Sequence, residues 1–166
     1  MIETDRLILR KWEKNDLEPF SSLNSCKHVS EFLPKPLNKE ESDALAKEIM
    51  ARFEKHGFGL FAVEKKDTAE FIGFNGLNIP GFNAPFMPAI EIGWRLSYEN
   101  WGKGLATEAA RAIINYAFTQ LNLYEIVSFT VPANRRSRSV MEKIGMTYNQ
   151  QDDFNHPNLS DDDPLK

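Results

Sequence analysis

The spacing of apolar residues predicts helices in several parts of the chain. The clearest pattern runs over Gly104–Leu121, where alanine, isoleucine and leucine recur at intervals of three and four positions and form one buried face. A second helix is expected over Lys39–His56, with Asn38 and Glu41 spaced as a capping box at its start. Two shorter helices are predicted, one beginning near Asp16 and one over Arg135–Lys143.

Alternation of apolar and polar residues predicts strands between these helices. The strand segments are Ile2–Arg10, Phe58–Glu64, Glu70–Ile79, Ala89–Ser97 and Glu125–Val131. A polar turn at Lys65–Ala69 joins the second and third segments and predicts an antiparallel hairpin, and a further strand is expected at Met146–Asn149. Helices and strands in this order predict an α/β (α+β) fold, with a mixed central sheet and helices on both of its faces.

Length and composition predict one compact unit. The chain has 166 residues, of which 42% are hydrophobic, so a single domain over residues 1–166 is expected. No apolar run approaches the ~20 residues that cross a bilayer, which argues against a membrane partner. Cys26 is the only cysteine, so neither an intramolecular disulfide nor a cysteine metal site is expected, and a reducing, cytoplasmic location follows.

The negative charge is concentrated at the C-terminal end. The formal net charge is -4, and the aspartates between Asp152 and Asp163, opposed by Lys166, account for all of it. Residues 1–148 are formally neutral and lack the basic face that nucleic-acid binding requires. We therefore expect no direct nucleic-acid partner, and we expect residues 152–166 to form a solvated acidic segment.

A glycine-containing loop lies between a predicted strand and the strongest predicted helix. Its sequence is Trp101, Gly102, Lys103, Gly104, Leu105, Ala106 and Thr107. Glycines let the backbone approach a ligand, and the N–H groups at a helix start attract anions, so a phosphate-bearing ligand is favoured over a purely structural turn. The spacing is not that of a Walker loop, and Thr107 occupies the place of the third glycine in a dinucleotide fingerprint.

Four motifs, taken in order and spacing, resemble one protein family. They are Glu3–Arg10, Glu91–Leu96 (EIGWRL), Trp101–Ala109 (WGKGLATEA), and Asn134–Ser137 (NRRS) leading into Val140–Met146 (VMEKIGM). Together they resemble the GNAT superfamily of N-acetyltransferases, and in particular its ribosomal-protein N-terminal (alanine/serine) acetyltransferase branch. The superfamily loop begins with Gln or Arg, and Trp101, which stands in that place here, is usual in this branch.

The resemblance implies a GNAT fold that uses acetyl-CoA as acetyl donor and no metal. The fourth and fifth strands, Ala89–Ser97 and Glu125–Val131, would splay apart to admit the pantetheine arm. Backbone groups at Trp94, Arg95 and Leu96 would bind that arm, and the loop from Gly102 to Thr107 would hold the pyrophosphate. The cofactor contacts of the branch fall on Asn134 and Ser137.

The same resemblance suggests catalytic roles for Glu91 and Ser137. Glu91 is the only acid within its apolar strand, and it could act as a base, directly or through a water, or pair with Arg95 on the same strand face. Ser137 could donate a proton to the departing CoA thiolate. Alternatively, Asn134 and Ser137 could cap the helix that begins at Arg135.

The family normally continues past an acidic loop into a last strand, whereas this sequence ends at Lys166. The resemblance therefore implies that the final strand is missing, and that an open edge could pair with a second copy as a homodimer. The expected activity is acetyl transfer to a primary amine, at a protein N-terminus or on a small molecule. A non-catalytic acyl-CoA-binding module is the competing interpretation.

The variable segments Ser25–Leu37 and Pro80–Pro88 are expected to select the acceptor. Within the second segment, Phe82, Phe86 and Met87 could form a hydrophobic lip over the site or serve as inward-facing anchors.

Overall fold

The computed structural model describes all residues from Met1 to Lys166. The strands are β1 (Ile2–Glu3), β2 (Leu7–Arg10), β3 (Leu60–Lys65), β4 (Phe71–Asn78) and β5 (Glu91–Leu96). The α-helices are α1 (Leu17–Ser25), α2 (Lys39–His56), α3 (Leu105–Thr119) and α4 (Arg135–Lys143). Single 3₁₀ turns lie at Lys14–Asp16, Tyr98–Asn100 and Gln150–Asp152.

The ends of α2 follow from local chemistry that the sequence displays. Asn38 Oδ1 accepts from the Glu41 N–H at 2.8 Å, and Glu41 Oε2 accepts from the Asn38 N–H at 2.9 Å. This capping box satisfies N–H groups that the first helical turn would leave unpaired. Gly57 ends the helix with a φ of 74°, a left-handed conformation that glycine adopts without strain. The predicted bounds of α2 are confirmed.

The five strands form one antiparallel sheet in the order β1-β2-β3-β4-β5. The predicted first strand, Ile2–Arg10, is divided, because a turn at Thr4 folds the chain back and pairs Ile2 with Leu9. The strand predicted as fourth is therefore β5. Parallel pairing is confined to one bridge between Glu91 and Val127, so the mixed character of the predicted sheet is limited to that point.

The predicted strand Glu125–Val131 is not formed as a strand, because these residues pair with β5 only at the single bridge of Val127. Ile92 donates its N–H to the Val127 carbonyl at 2.8 Å, and Val127 donates to Ile90 at 2.9 Å. Beyond Val127 the segment makes no further backbone bond to β5, which is the splay that the resemblance implied. The strand predicted at Met146–Asn149 is wrong, because these residues have no neighbouring strand to pair with.

Helices cover both faces of the sheet, as predicted. On one face α3 packs with a cluster that includes Leu9, Ile92 and Ile113. On the other, α1 and α2 pack with a cluster that includes Phe20 and Phe74. Alternate residues of the strands supply the two clusters, since successive side chains point to opposite faces. None of the helices combines the length and the apolar character needed to cross a bilayer.

Candidate active site

One edge of β5 pairs with β4, and the opposite edge opens towards residues 125–131. The backbone of Ile92 faces the open edge, where its N–H bonds Val127. By the alternation of a strand, the N–H and C=O of Trp94 and the N–H of Leu96 face the same way, and they have no protein partner. The splay therefore leaves a row of free backbone donors and an acceptor.

Trp101 links the far end of this edge to the loop that follows. Its Nε1 donates to the Leu96 carbonyl at 2.9 Å. The guanidinium of Arg136 lies over the Trp101 ring, 4.4 Å from its centroid, and Arg136 also donates to Glu31 at 2.5 Å. Trp101 thus fixes the approach of β5 to the loop, which gives a physical reason for a tryptophan in this place.

The loop itself presents a run of unbonded N–H groups. Gly102 and Gly104 have φ values of 71° and 77°, a conformation that favours glycine. The backbone N–H groups from Gly102 to Thr107 donate to no acceptor in the protein. The side chains of Leu105 and Thr107 are buried while Lys103 is exposed. These N–H groups gather at the positive end of the α3 dipole, an arrangement suited to binding an anion.

A set of hydrogen bonds from the β1–β2 turn anchors this loop. Arg6 donates its N–H and Nε to Glu108 at 2.9 and 2.7 Å, and the Thr4 hydroxyl donates to Glu108 at 2.6 Å. Arg6 Nη1 also donates to the Lys103 carbonyl at 2.9 Å. Although burial acts in the opposite direction, the bonds from Thr4 and Arg6 hold the pKa of Glu108 below its ordinary value. The loop and the first turn of α3 are thereby held against the start of the sheet.

Glu91 lies where β5 parts from residues 125–131. Its Oε2 accepts from Asn78 Nδ2 at 3.3 Å. Its Oε1 has no protein partner and lies 3.7 Å from the place that a Cβ on Gly93 would occupy. Burial raises the pKa of Glu91 to about 7, and the bond from Asn78 opposes that rise only in part. The missing side chain of Gly93 therefore leaves space beside a free carboxylate oxygen that titrates near neutral pH.

Arg95 forms no ion pair with Glu91, so that interpretation is wrong. Arg95 Nη1 donates to Asn24 Oδ1 at 2.8 Å, and its guanidinium lies 5.4 Å from the centroid of the Phe74 ring. These contacts draw the side chain towards α1 and β4. Burial lowers the pKa of Arg95 to about 10, so it keeps its charge at neutral pH. Its backbone pairs with Phe74 and faces away from the open edge.

Asn134 and Ser137 have different positions at the start of α4. Asn134 Oδ1 accepts from the Ser137 N–H at 3.2 Å, and Asn134 Nδ2 donates to Thr130 Oγ1 at 3.0 Å. The capping interpretation is confirmed for Asn134. It is wrong for the Ser137 side chain, because the hydroxyl takes no part in the cap and has no protein partner.

An aromatic cluster joins the Pro80–Pro88 loop to the splayed segment and to the C-terminal residues. Phe82 lies 5.5 Å from Phe129 and 5.8 Å from Phe154, and Phe86 lies 5.1 Å from Phe154, all between ring centroids. Phe129 follows the bridging residue Val127 by two positions. The two phenylalanines of the Pro80–Pro88 loop are therefore anchors that join this loop to the C-terminal segment.

Comparison with known proteins identifies the family. Residues 6–147 match the family model for the acetyltransferase (GNAT) domain. The chain belongs to the GNAT acetyltransferase family. Members of this family transfer an acetyl group from acetyl-CoA, and this chain is accordingly an acetyl-CoA-dependent acetyltransferase.

Individual relatives and solved structures agree with this assignment. This chain is 32% identical over 145 residues to the uncharacterized N-acetyltransferase YnaD of Bacillus subtilis. The aligned residues make up 87% of this chain and 81% of YnaD. An acetyltransferase structure from Agrobacterium tumefaciens is 30% identical with a TM-score of 0.78, covering 99% of this chain and 89% of its own. A spermidine N-acetyltransferase of Vibrio cholerae, solved with CoA and spermine, shares the fold at 23% identity with a TM-score of 0.67, over 86% of this chain and 80% of its own.

The site of this acetyltransferase includes residues that sequence reasoning missed. Arg6 and Glu108 both lie within motifs that carry the family resemblance, but a sequence separation of 102 conceals their contact. Asn78 gave no signal, because an amide at a strand end is ordinary in sequence. To find Asn78 from the sequence, the register between β4 and β5 would have had to be known, because only that pairing sets Asn78 opposite Glu91.

The Glu108 anchor leads to a prediction about cofactor affinity. Glu108→Gln is expected to raise the Kd for CoA several-fold, because the loop loses the charged partner that holds it. The free energy of unfolding should fall by only about 1 kcal/mol, since the Arg6 side chain is 51% exposed. Calorimetric titration with CoA and denaturant melts check both values.

Glu54→Gln provides the matched control, because Glu54 pairs with Lys11 and the two side chains are 71% and 69% exposed. It should change neither quantity. An unchanged Kd for CoA in Glu108→Gln would contradict the anchoring role.

Proposed function

We propose that this acetyltransferase transfers the acetyl group to a primary amine, either a protein N-terminal α-amine or an amine of a small molecule, by direct attack on the thioester. The observation that carries the proposal is the free Oε1 of Glu91 beside the gap at Gly93, at the open edge of β5. One oxygen of this carboxylate is held and the other is free, so it can accept a proton from the amine directly or through a water.

The cofactor is held, in this proposal, by backbone groups. The free N–H groups from Gly102 to Thr107 fit the diphosphate, and Trp94 and Leu96 offer donors and an acceptor to the amide groups of the pantetheine arm. From Glu91 to Leu96 the strand spans about 17 Å, which matches an extended arm between base and diphosphate. Acetyl-CoA, when bound, supplies an acetyl group activated as a thioester.

Glu91 removes the proton that keeps an amine from attacking. At pH 7 deprotonation costs about 1.4 kcal/mol for an α-amine with pKa ~8 and about 4.6 kcal/mol for a lysine-like amine with pKa ~10.4. A carboxylate with a pKa of about 7 is well matched to the first of these. The match favours acceptors with a low amine pKa, among which protein N-termini are the common class.

Ser137 is the proposed proton donor for the leaving group. Its hydroxyl has no protein partner, and Asn134 holds its backbone at the first turn of α4. The same turn carries Arg136, whose guanidinium covers Trp101 at the start of the diphosphate loop. In this proposal the unbonded hydroxyl protonates the thiolate of CoA as it departs.

Ser137→Ala is expected to lower kcat about 10-fold or more. The melting temperature should not change, because the hydroxyl makes no bond within the protein. Steady-state kinetics and a thermal melt test this, with Ser139→Ala on the same helix as control. Equal kcat values for the two variants would remove Ser137 from the mechanism and leave only its capped backbone.

The proposal is tested by measuring thiol release from acetyl-CoA with a panel of amines. Peptides beginning with alanine or serine, free amino acids and a polyamine represent the acceptor classes, and thermal stabilisation by CoA is measured in parallel. We expect thiol release with at least one amine, together with the acetylated amine by mass spectrometry. Stabilisation by CoA without thiol release on any amine would instead indicate a non-catalytic acyl-CoA-binding module.

A further inference from the structure

The end of β4 provides a direct partner for the Glu91 carboxylate. Asn78, the last residue of β4, is paired with Glu91 in the register of the two strands. Directly opposite residues carry side chains on the same sheet face at a Cβ separation of about 5 Å. Asn78 Nδ2 donates to Glu91 Oε2 at 3.3 Å, and no other side chain bonds that carboxylate.

The orientation of the Asn78 amide is determined by α2. Arg52 Nη1 donates to Asn78 Oδ1 at 3.1 Å and to the Ile79 carbonyl at 3.2 Å. A guanidinium has donors only, so the amide oxygen must face Arg52 and the amide nitrogen must face Glu91. The other nitrogen of the guanidinium, Nη2, forms a salt bridge with Glu48 Oε1, one turn earlier on α2, at 2.7 Å.

We propose that Asn78 is a positioning residue for acetyl transfer, which holds Oε2 of Glu91 so that Oε1 stays free, and that Arg52 sets the amide in the orientation this requires. The inference rests on the proposed function, in which Glu91 is the base. A carboxylate without such a partner rotates broadly about its terminal torsion, because sp³–sp² torsions have shallow wells. Asn78 removes that freedom and presents one oxygen to the acceptor.

Asn78 also influences the charge state of the base. A donor to a carboxylate favours its charged form, so the bond from Asn78 keeps Glu91 ionised at lower pH than burial alone would allow. The charged or titratable side chains that line the cavity beside Asn78 are Glu48, Arg52 and His56 of α2. Arg95 lies further along β5, and Glu125 lies two positions before the bridging residue Val127. Of these, none bonds Glu91 directly, so the amide is the contact to change.

The test is the pH dependence of kcat/KM for the amine at saturating acetyl-CoA in Asn78→Ala and Asn78→Asp. Both variants remove the donor to Oε2, and Asn78→Asp keeps the size of the side chain and the acceptor for Arg52. We expect at least a 10-fold loss of kcat/KM near neutral pH. The acidic limb of the kcat/KM profile, where the rate rises with pH, should move to higher pH in both variants. The shift should be larger in Asn78→Asp because of the added negative charge. The KM for acetyl-CoA should stay the same.

Arg52→Met and Glu48→Gln complete the experiment. Arg52→Met should shift the limb in the same direction by a smaller amount, because the amide becomes free to flip. Glu48→Gln changes the same guanidinium without touching the amide and should leave the limb in place. A folded Asn78→Asp protein with the wild-type limb would overturn the inference. If Glu91→Gln itself kept the limb, the proposed role of Glu91 would fail, whatever Asn78 did.

Discussion

Replacing Glu91 by glutamine is expected to lower kcat/KM for the amine about 100-fold or more at pH 7, within the range that general-base catalysis contributes. The amide has nearly the shape of the carboxylate and can still contact Asn78, but it cannot accept the proton of the incoming ammonium. The KM for acetyl-CoA should not change, because the proposed cofactor contacts lie on the loop and on the backbone of β5. Steady-state kinetics with both substrates varied measure these quantities.

The loss should depend on the amine. An acceptor with a pKa near 7 is already about half unprotonated at pH 7 and should lose least, whereas a lysine-like amine should lose most. The free energy of unfolding provides a control, because at high pH it should not fall in Glu91→Gln even though kcat/KM does. Burial raises the pKa of Glu91 to about 7, so the protonated form favours the native state and this stabilisation is lost as pH rises from the unfolded value, near 4.3, through 7. Glu91→Gln should therefore be at least as stable as wild type at pH 8.

An equal loss of kcat/KM for every amine would contradict the base role.

Gly104→Ala is expected to raise the Kd for CoA about 10- to 100-fold, equivalent to losing about 1.4 to 2.8 kcal/mol. At a φ of 77° a side chain is strained, and the new Cβ would meet only Arg6 within the protein, at 3.6 Å. The rest of its surroundings is the open space in front of the free N–H groups. A methyl group there keeps a diphosphate away from the backbone. Calorimetric titration with CoA measures the effect.

Gly57→Ala is a matched control for backbone strain. Gly57 has a φ of 74° at the end of α2, and a Cβ there would meet nothing within 4 Å. The two variants should lose similar stability, about 1 kcal/mol, because they share the cost of a left-handed alanine. Only Gly104→Ala should bind CoA more weakly. Equal Kd values would show that the loop does not hold the cofactor.

Much of the fold could be predicted because local chemistry and tertiary packing agree. α2 carries its own capping box and terminal glycine, and α3 has an apolar face that matches its buried one. The strands predicted at Phe58–Glu64 and Glu70–Ile79 formed their hairpin as β3 and β4. Where a segment depends on a distant partner, prediction was weaker, as for Met146–Asn149, whose pattern has no neighbouring strand to use.

The candidate site was predictable in its backbone and less so in its side chains. The loop after Trp101 could be found because glycine spacing before a helix limits what the backbone can do. The side-chain partners of Glu91 and Arg95 could not be predicted, because two side chains four residues apart on one face of a strand each have several other neighbours within reach. Arg95 bonds Asn24 on α1, and Glu91 bonds Asn78 on β4. These partners depend on the strand register and on where α1 packs.

The central claim is that Glu91 acts as the base in acetyl transfer to an amine, and the pH dependence of kcat/KM for the amine tests it most directly. With acetyl-CoA saturating, wild type should show an acidic limb with an apparent pKa of about 7. In Glu91→Gln that limb should disappear, leaving a rate that rises only with the ionisation of the amine itself. An identical limb in both proteins would contradict the account.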